Sequence, residues 1–239
     1  MVGALPSSIV TSRRGTAAVL SLAVLLTGCT SVVSGGPVKD PTAPPLVAIA
    51  NLKTLLVPLP DVKSTLDAPD LKVQQTGDTV SEATLTDGGV PSLPECLGVM
   101  YPARASAYAG SGYSGLQGQR LGEDPPTSEH VAIQVVVAFP TVEQAEDAFD
   151  TMREAWDECA GRSLTTTFDA GVETFVIGEP VATDTTLTSV STQVGGGLCA
   201  CSLALGQKAN VIVDVNACQL GATDQGERIM DEILRRIPS

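Results

Sequence analysis

Residues 130–144 read HVAIQVVVAFPTVEQ, and they place a β-strand pattern directly before the start of an α-helix. Apolar side chains alternate over residues 130–139, which is the period of a strand with one buried face; they are Val131, Ile133, Val135, Val137 and Phe139. After Pro140, Thr141 and Gln144 stand three residues apart, as in a capping box that satisfies the amides of a first helical turn. The segment predicts a strand followed by a helix.

The predicted helix continues from residue 141 to Gly161. Its apolar residues recur at spacings of three and four, so they form one buried stripe: Val142, Ala145, Phe149, Met152, Trp156 and Cys159. This position favours a core role for Trp156 over a place in a cleft. Acidic residues cover the other faces, which is more typical of a solvated helix than of a cation site.

Short strand patterns follow this helix, at residues 163–168, 172–177, 185–193, 198–205 and 210–215. They are separated by a turn at 169–171, a glycine break at 195–197 and a turn at 206–209. A last helix over 223–236 buries Ile229, Ile233, Leu234 and Ile237 and carries Arg235 and Arg236 near its negative end. Upstream, residues 46–57 predict a short helix that stops before Pro58, and residues 61–92 predict loop or weak strand. Strands joined by short turns, with helices between and after them, indicate an α+β fold with an antiparallel sheet.

The N-terminal region has the features of a secretory signal peptide. Leu26-Thr27-Gly28-Cys29 follows two arginines and a twelve-residue apolar run, which is too short for a transmembrane helix of about 20 residues. The cysteine after small residues resembles the lipobox of bacterial lipoproteins, which implies cleavage after residue 28 and acylation of Cys29. We expect a signal peptide over 1–28, a lipidated N-terminus and Pro/Gly-rich tether over 29–47, and one domain over 48–239. An ordinary signal peptide followed by an incidental cysteine is the alternative.

The charge balance limits the classes of partner. Cleavage after residue 28 removes two arginines and no acidic residue, which changes the net charge from −13 to −15. Such acidity argues against nucleic acid as a partner and against docking of the protein body on an anionic membrane surface. The acyl chains would then hold the protein on the outer, extracytoplasmic face of the plasma membrane, in the cell envelope.

Five cysteines remain when the one in the lipobox is set aside: Cys96, Cys159, Cys199, Cys201 and Cys218. Outside the cytoplasm they can form disulfides, and an odd number leaves one thiol unpaired or intermolecular. Cys159 can meet the segment that begins at Cys96. Cys199 and Cys201 lie on the same face of one strand, and either can meet Cys218 on the neighbouring strand.

Several motifs in order resemble the PknH-like extracellular sensor domain of mycobacteria, over residues 48–238. They are Cys96-Leu-Gly-Val, Tyr108-Ala-Gly-Ser-Gly112, Val135–Phe139, Trp156-Asp-Glu-Cys159, Cys201–Leu205, Asn210-Val, Asp214-Val and Cys218. Such domains form the outer part of a transmembrane Ser/Thr kinase and also occur in free-standing lipoproteins. The resemblance implies a twisted antiparallel sheet with helices packed against it, and a cleft proposed to bind a ligand. It also implies disulfides Cys96–Cys159 and Cys201–Cys218, with Cys199 unmatched.

The sequence offers little support for catalysis. The kinase signatures are missing from it, and Gly112-Tyr-Ser114-Gly115 continues with Leu116 instead of completing a nucleophile elbow. A zinc site needs four ligands, and the chain has one histidine, His130. We expect no metal, no cofactor and no enzymatic activity.

A candidate ligand cleft is indicated by aromatic and arginine residues in a Gly/Ser-rich stretch: Arg104, Tyr108, Tyr113 and Arg120. Packing of these tyrosines at the sheet edge is the simpler alternative. The leading functional hypothesis is a membrane-anchored, non-catalytic lipoprotein that binds an unknown extracytoplasmic ligand or envelope protein. The alternative is a structural or assembly lipoprotein of the envelope without a small ligand, and a hydrolase ranks third.

Overall fold

The computed structural model describes residues 45–80, 89–124, 129–169, 171–195 and 199–238. The signal peptide, the lipobox with Cys29 and nearly all of the tether lie outside these residues. Contacts between residues group Thr42–Ser239 into one compact unit.

The described strands form one ten-stranded sheet in which all pairs are antiparallel. The strands are β1 (Lys72–Gly77), β2 (Val90–Pro91), β3 (Gly115–Gly122), β4 (Val131–Ala138), β5 (Ser163–Phe168), β6 (Gly171–Val176), β7 (Val181–Ala182), β8 (Thr186–Gln193), β9 (Cys199–Lys208) and β10 (Val211–Leu220). Their order is β1-β3-β4-β10-β9-β8-β6-β5-β2, and β7 pairs with β8. The α+β prediction is confirmed.

Helices cover both faces of the central strands. They are α1 (Leu52–Leu55), α2 (Leu59–Leu66), α3 (Leu97–Met100), α4 (Ala105–Tyr108), α5 (Val142–Cys159) and α6 (Gln225–Arg236). Helices α3, α4 and α5 contribute to one core, and α1, α2 and α6 contribute to a second core on the other side of the sheet. Strand β4 therefore buries Val135 and Val137 on one face and Ala132 and Val136 on the other, so its apolar residues serve two cores rather than one.

Helix α5 matches its prediction closely. The Thr141 hydroxyl oxygen accepts the Gln144 backbone N–H at 3.1 Å, which caps the first turn. The apolar stripe faces the core, and Trp156 is 4% exposed. Trp156 is thus a core residue.

The N-terminal part of the domain differs from its prediction. A 3₁₀ turn (Ile49–Asn51) and α1 replace the single helix expected over 46–57, and α2 occupies a region predicted as loop or weak strand. Pro58 precedes α2 and Pro60 lies in its first turn, where the missing N–H has no helical partner to lose. These prolines begin a helix here, whereas the sequence pattern predicts that they end one.

Two buried amides attach this region to the sheet. The Gln134 side chain on β4 donates to the Val57 carbonyl at 2.9 Å and accepts the Val57 N–H at 2.8 Å. Asn210 forms the same paired contact with Val47, at 3.2 and 2.7 Å. Both buried side-chain amides are thereby hydrogen-bonded, as burial requires.

The β9–β10 hairpin turns later than predicted. Strand β9 continues through Gly206 to Lys208, and the turn is Ala209–Asn210, with Ala209 at a φ of 50°. Gly206 serves close packing instead of a turn, because a Cβ there would lie 2.9 Å from the Met230 sulfur on α6.

This register settles the cysteine pairing that hairpin counting from sequence left open. Cys201 lies directly opposite Cys218, and Cys199 lies opposite Leu220. The structure forms Cys201–Cys218 and Cys96–Cys159, and leaves Cys199 as a free thiol.

Candidate ligand recess and the segment beside it

A buried carboxylate lies at the centre of the sheet face that α5 covers. Asp214 stands on β10 opposite Val135 of β4 and Leu205 of β9, and it is 5% exposed. The Tyr108 hydroxyl donates to Asp214 Oδ2 at 3.1 Å, and the backbone N–H of Ala103 donates to the same carboxyl group. Both donors come from one stretch of chain, residues 97–113, which we call the covering segment.

The covering segment is held to the sheet at further points. Asn216, two residues after Asp214 on the same face, donates from its side-chain nitrogen to the Met100 carbonyl at 2.6 Å. The Cys96–Cys159 disulfide joins the chain just before the segment to α5. Ala103 adopts a left-handed backbone with φ of 61°, a conformation that costs energy for a residue with a side chain. The contacts to Asp214 and Asn216 oppose that cost.

Burial changes the acidity of this pair. Desolvation raises the pKa of Asp214 from 3.8 to about 7, although the hydrogen bonds from Tyr108 and Ala103 act in the opposite direction. Desolvation, and then the neighbouring Asp214 charge, raise the pKa of Tyr108 well above its usual value. Asp214 therefore exchanges its proton near neutral pH, beneath the covering segment.

An open recess lies beside Ala103, between β1, β3 and β4. Its floor is apolar and its rim carries a guanidinium, amides and hydroxyls; the lining residues are Gln75, Thr76, Gly77, Thr79, Ala103, Leu116, Gly118, Gln119, Arg120, Ile133 and Val135. The volume is about 50 Å³, which is far below the ~300–1,000 Å³ of a drug-sized pocket. The recess therefore has room for a few atoms.

The four predicted cleft residues do not line one cleft. Arg120 lines the recess and hydrogen-bonds Gln74 of β1. Tyr108 is 2% exposed and belongs to the core, with the Tyr113 ring 6.1 Å away in an edge-on arrangement. Arg104 is buried next to Ala103. The simpler alternative expected the tyrosines to pack at the sheet edge; Tyr108 does pack in the core, but over Asp214 on the central strand β10.

Asp214 is the residue that the prediction of a cleft missed. It appeared in the family motif, and it is the one acidic residue in a strand of otherwise apolar or amide side chains. An isolated charge between Val213 and Val215 was the available signal, because burial of a carboxylate is costly and uncommon.

A larger opening of about 310 Å³ lies between α2 and α6, on the other side of the sheet. Its charged groups partly neutralise one another: Glu232 accepts hydrogen bonds from Arg235 and Arg236. This crevice was not predicted from the sequence.

Ser114 and His130, which a hydrolytic site with a serine nucleophile and a histidine base would have to bring together, are far apart. Ser114 donates to the Ala138 carbonyl at one end of β4, whereas His130 precedes the other end and contacts Glu123 at 2.8 Å. Eight strand residues span roughly 27 Å. The two side chains therefore share no site.

Comparison with known proteins agrees with this fold and topology. Residues 47–236 match the family described as the PknH-like extracellular domain. The chain belongs to this family. It is 30% identical to Serine/threonine-protein kinase PknH from Mycobacterium bovis over 223 residues and from Mycobacterium tuberculosis H37Rv over 224 residues. These alignments cover 93% of the chain but only 36% and 35% of the kinases, so the chain spans about a third of their length.

A solved structure gives the same result. The extracellular domain of PknH from Mycobacterium tuberculosis matches with a TM-score of 0.75 and 29% identity, over 81% of this chain and 97% of that domain. The similarity is to the extracellular domain and not to the kinase domain, which indicates an extracytoplasmic location. Within the described ranges, no helix has the length and apolar character needed to cross a membrane.

Proposed function

We propose that this protein is a lipid-anchored, non-catalytic domain of the cell envelope that binds a small extracytoplasmic ligand. Acylation of Cys29 would hold it on the outer face of the plasma membrane. The ligand would enter the recess beside Ala103 and contact Arg120 with a polar or anionic group. Family membership supports a sensor role, and catalysis has no assembled group of side chains among the described residues to support it.

The contact between the recess and the covering segment carries this proposal. Ala103 lines the recess and donates its N–H to Asp214. A ligand that presses against Ala103 would therefore act on the hydrogen bonds that attach residues 97–113 to β10. A small ligand could in this way change the position of the covering segment, which is much larger than the recess.

Retention of a ligand tests the proposal. The full chain, extracted from its own membranes and examined by native mass spectrometry, should carry a reproducible excess mass. Arg120→Ala should lose most of that mass, because the guanidinium on the recess is gone. Arg228→Ala removes an exposed arginine on α6 and should retain it. Protein without added mass in repeated preparations, or equal retention by Arg120→Ala, would contradict ligand binding in the recess.

The small volume of the recess favours a second candidate, a structural or assembly lipoprotein without a small ligand. This candidate predicts that the extracted protein carries no small molecule and instead co-purifies with another envelope protein. The same mass measurement separates the two functions.

A further inference from the structure

On the side of α6, none of the helices among the described residues covers one half of the sheet. Thr188 of β8 lies opposite Ala204 of β9, which belongs to the core beneath α6, and β5, β6 and β7 continue this face outward. Val172 lies opposite Thr167, which in turn lies opposite Val90. We call this surface the Val/Thr face; it comprises alternate positions of 163–167, 172–176 and 188–194, together with Val90 and Val181.

The Val/Thr face has an unusual composition for so acidic a protein. The chain carries 27 acidic residues and a net charge of −13, yet every described residue on this face is Val, Thr or Ser. The opposite face of the same strands does carry a charge, at Glu173.

Exposed apolar side chains concentrate on the same face. Among the described residues, nine large hydrophobic side chains are exposed, and five of them are here: Val90, Val172, Val181, Val190 and Val194. Three of these, Val90, Val172 and Val181, are more than 60% exposed. Threonines separate these valines on neighbouring strands, and a surface where exposed apolar side chains concentrate is a marker of an interaction site.

We propose that the Val/Thr face is the contact surface of a homodimer, packed against the same face of a second copy. A charged partner would find no complementary charge here, whereas a second copy supplies a second charge-free face. Two copies that met through their strongly acidic surfaces would repel each other. β-Branched side chains also pack well when two sheets lie face to face.

The size of the face predicts a weak, reversible dimer. Same-face residues repeat every ~6.8 Å along a strand and strands lie ~4.8 Å apart, so the twelve positions cover roughly 400 Å² of sheet plane. A standard interface takes about 800 Å² of accessible surface from each partner. The dimer should therefore dissociate on dilution.

Sedimentation velocity on the detergent-extracted full chain tests the proposal, with micelles in excess over protein. The wild-type protein should shift from monomer to dimer as its concentration rises. Val172→Lys places a charge among the exposed valines of the face, on the strand position that shares Thr167 with Val90, and should weaken dimerisation at least tenfold. Val73→Lys changes an exposed valine of β1, at the far edge of the sheet, and should leave dimerisation unchanged.

Three outcomes would overturn the homodimer. They are a wild-type protein that stays monomeric at every concentration, a Val172→Lys protein that dimerises as the wild type does, and equal weakening by Val73→Lys. Because both valines are exposed, both variants should keep the wild-type circular dichroism spectrum. If Val172→Lys does not fold, Thr174→Lys on the same face is measured in its place.

Discussion

Asp214 is a carboxylate between two buried valines, and its environment makes the stability of the protein depend on pH. The folded chain binds a proton there up to about pH 7, whereas the unfolded chain releases it near 3.8. The folded state therefore binds more protons in this window, so its free energy of unfolding falls as pH rises from 4 to 7 and then levels off.

We expect urea unfolding to show a wild-type protein that is roughly 2–3 kcal/mol more stable at pH 5 than at pH 8 through this group. Asp214→Asn keeps the shape without a titrating proton and should remove that difference. The lowered pKa of Glu232, caused by hydrogen bonds from Arg235 and Arg236, acts only in more acidic solution. An unchanged pH dependence in Asp214→Asn would show that Asp214 is not the responsible group.

At the scale of elements, α6 approaches the sheet through two glycines. Gly206 on β9 lies under Met230, and a Cβ on Gly226 of α6 would lie 2.3 Å from the Ser202 carbonyl oxygen. The Gly226 N–H also donates to the Ser202 hydroxyl at 3.0 Å. Replacement of glycine by alanine usually favours a helix, but here the helix would have to move away from β9.

Gly226→Ala should therefore destabilise the fold by about 1–3 kcal/mol, measured by urea unfolding. Gly77→Ala is the matched control, because nothing lies within 4 Å of a Cβ at that position. It should change stability by less than about 0.5 kcal/mol. A Gly226→Ala protein as stable as the wild type would mean that the contact between α6 and β9 is looser than the geometry indicates.

At the scale of the whole molecule, the proposed lipid anchor decides where the domain acts. We expect Cys29→Ala to prevent acylation and to release the protein from membranes, because the acidic protein body has no attraction to an anionic surface. The measurement is fractionation after a high-salt wash, with incorporation of a labelled fatty acid. Cys199→Ser is the control, since it removes a cysteine of the folded domain and should leave the anchor intact. A Cys29→Ala protein that remains in the membrane fraction would refute the anchor.

Much of the fold could be predicted because its signals are local. The alternation over β4 and the 3–4 spacing over α5 depend on neighbouring residues, as does the Thr141 cap. The hairpin turn after β9 could not be placed in this way. Gly206 suggested a turn, but a glycine is needed there because α6, a helix some twenty residues away in sequence, packs against it. The prolines at the start of α2 were ambiguous for a related reason, because a proline can begin a helix as readily as it can end one.

The candidate site was less predictable than the fold. The sequence predicts Tyr108 as a cleft residue because aromatic and arginine residues lie together in a Gly/Ser-rich stretch. In the structure its hydroxyl contacts a buried carboxylate that lies 106 residues later. Arg120 was selected with it and lines a recess instead. Proximity along the chain does not define a cleft, because the sheet brings β3, β4 and β10 together across long separations.

The α+β class and the strand and helix that became β4 and α5 follow from the amino-acid sequence alone, because they depend on the periodicity of neighbouring apolar residues. The folded chain was needed to show that Cys201 and not Cys199 pairs with Cys218, that Asp214 is buried under residues 97–113, and that the valines of the Val/Thr face are exposed. Each of these depends on strand register or on how far α6 extends across the sheet, and both are set by contacts between residues distant in the chain.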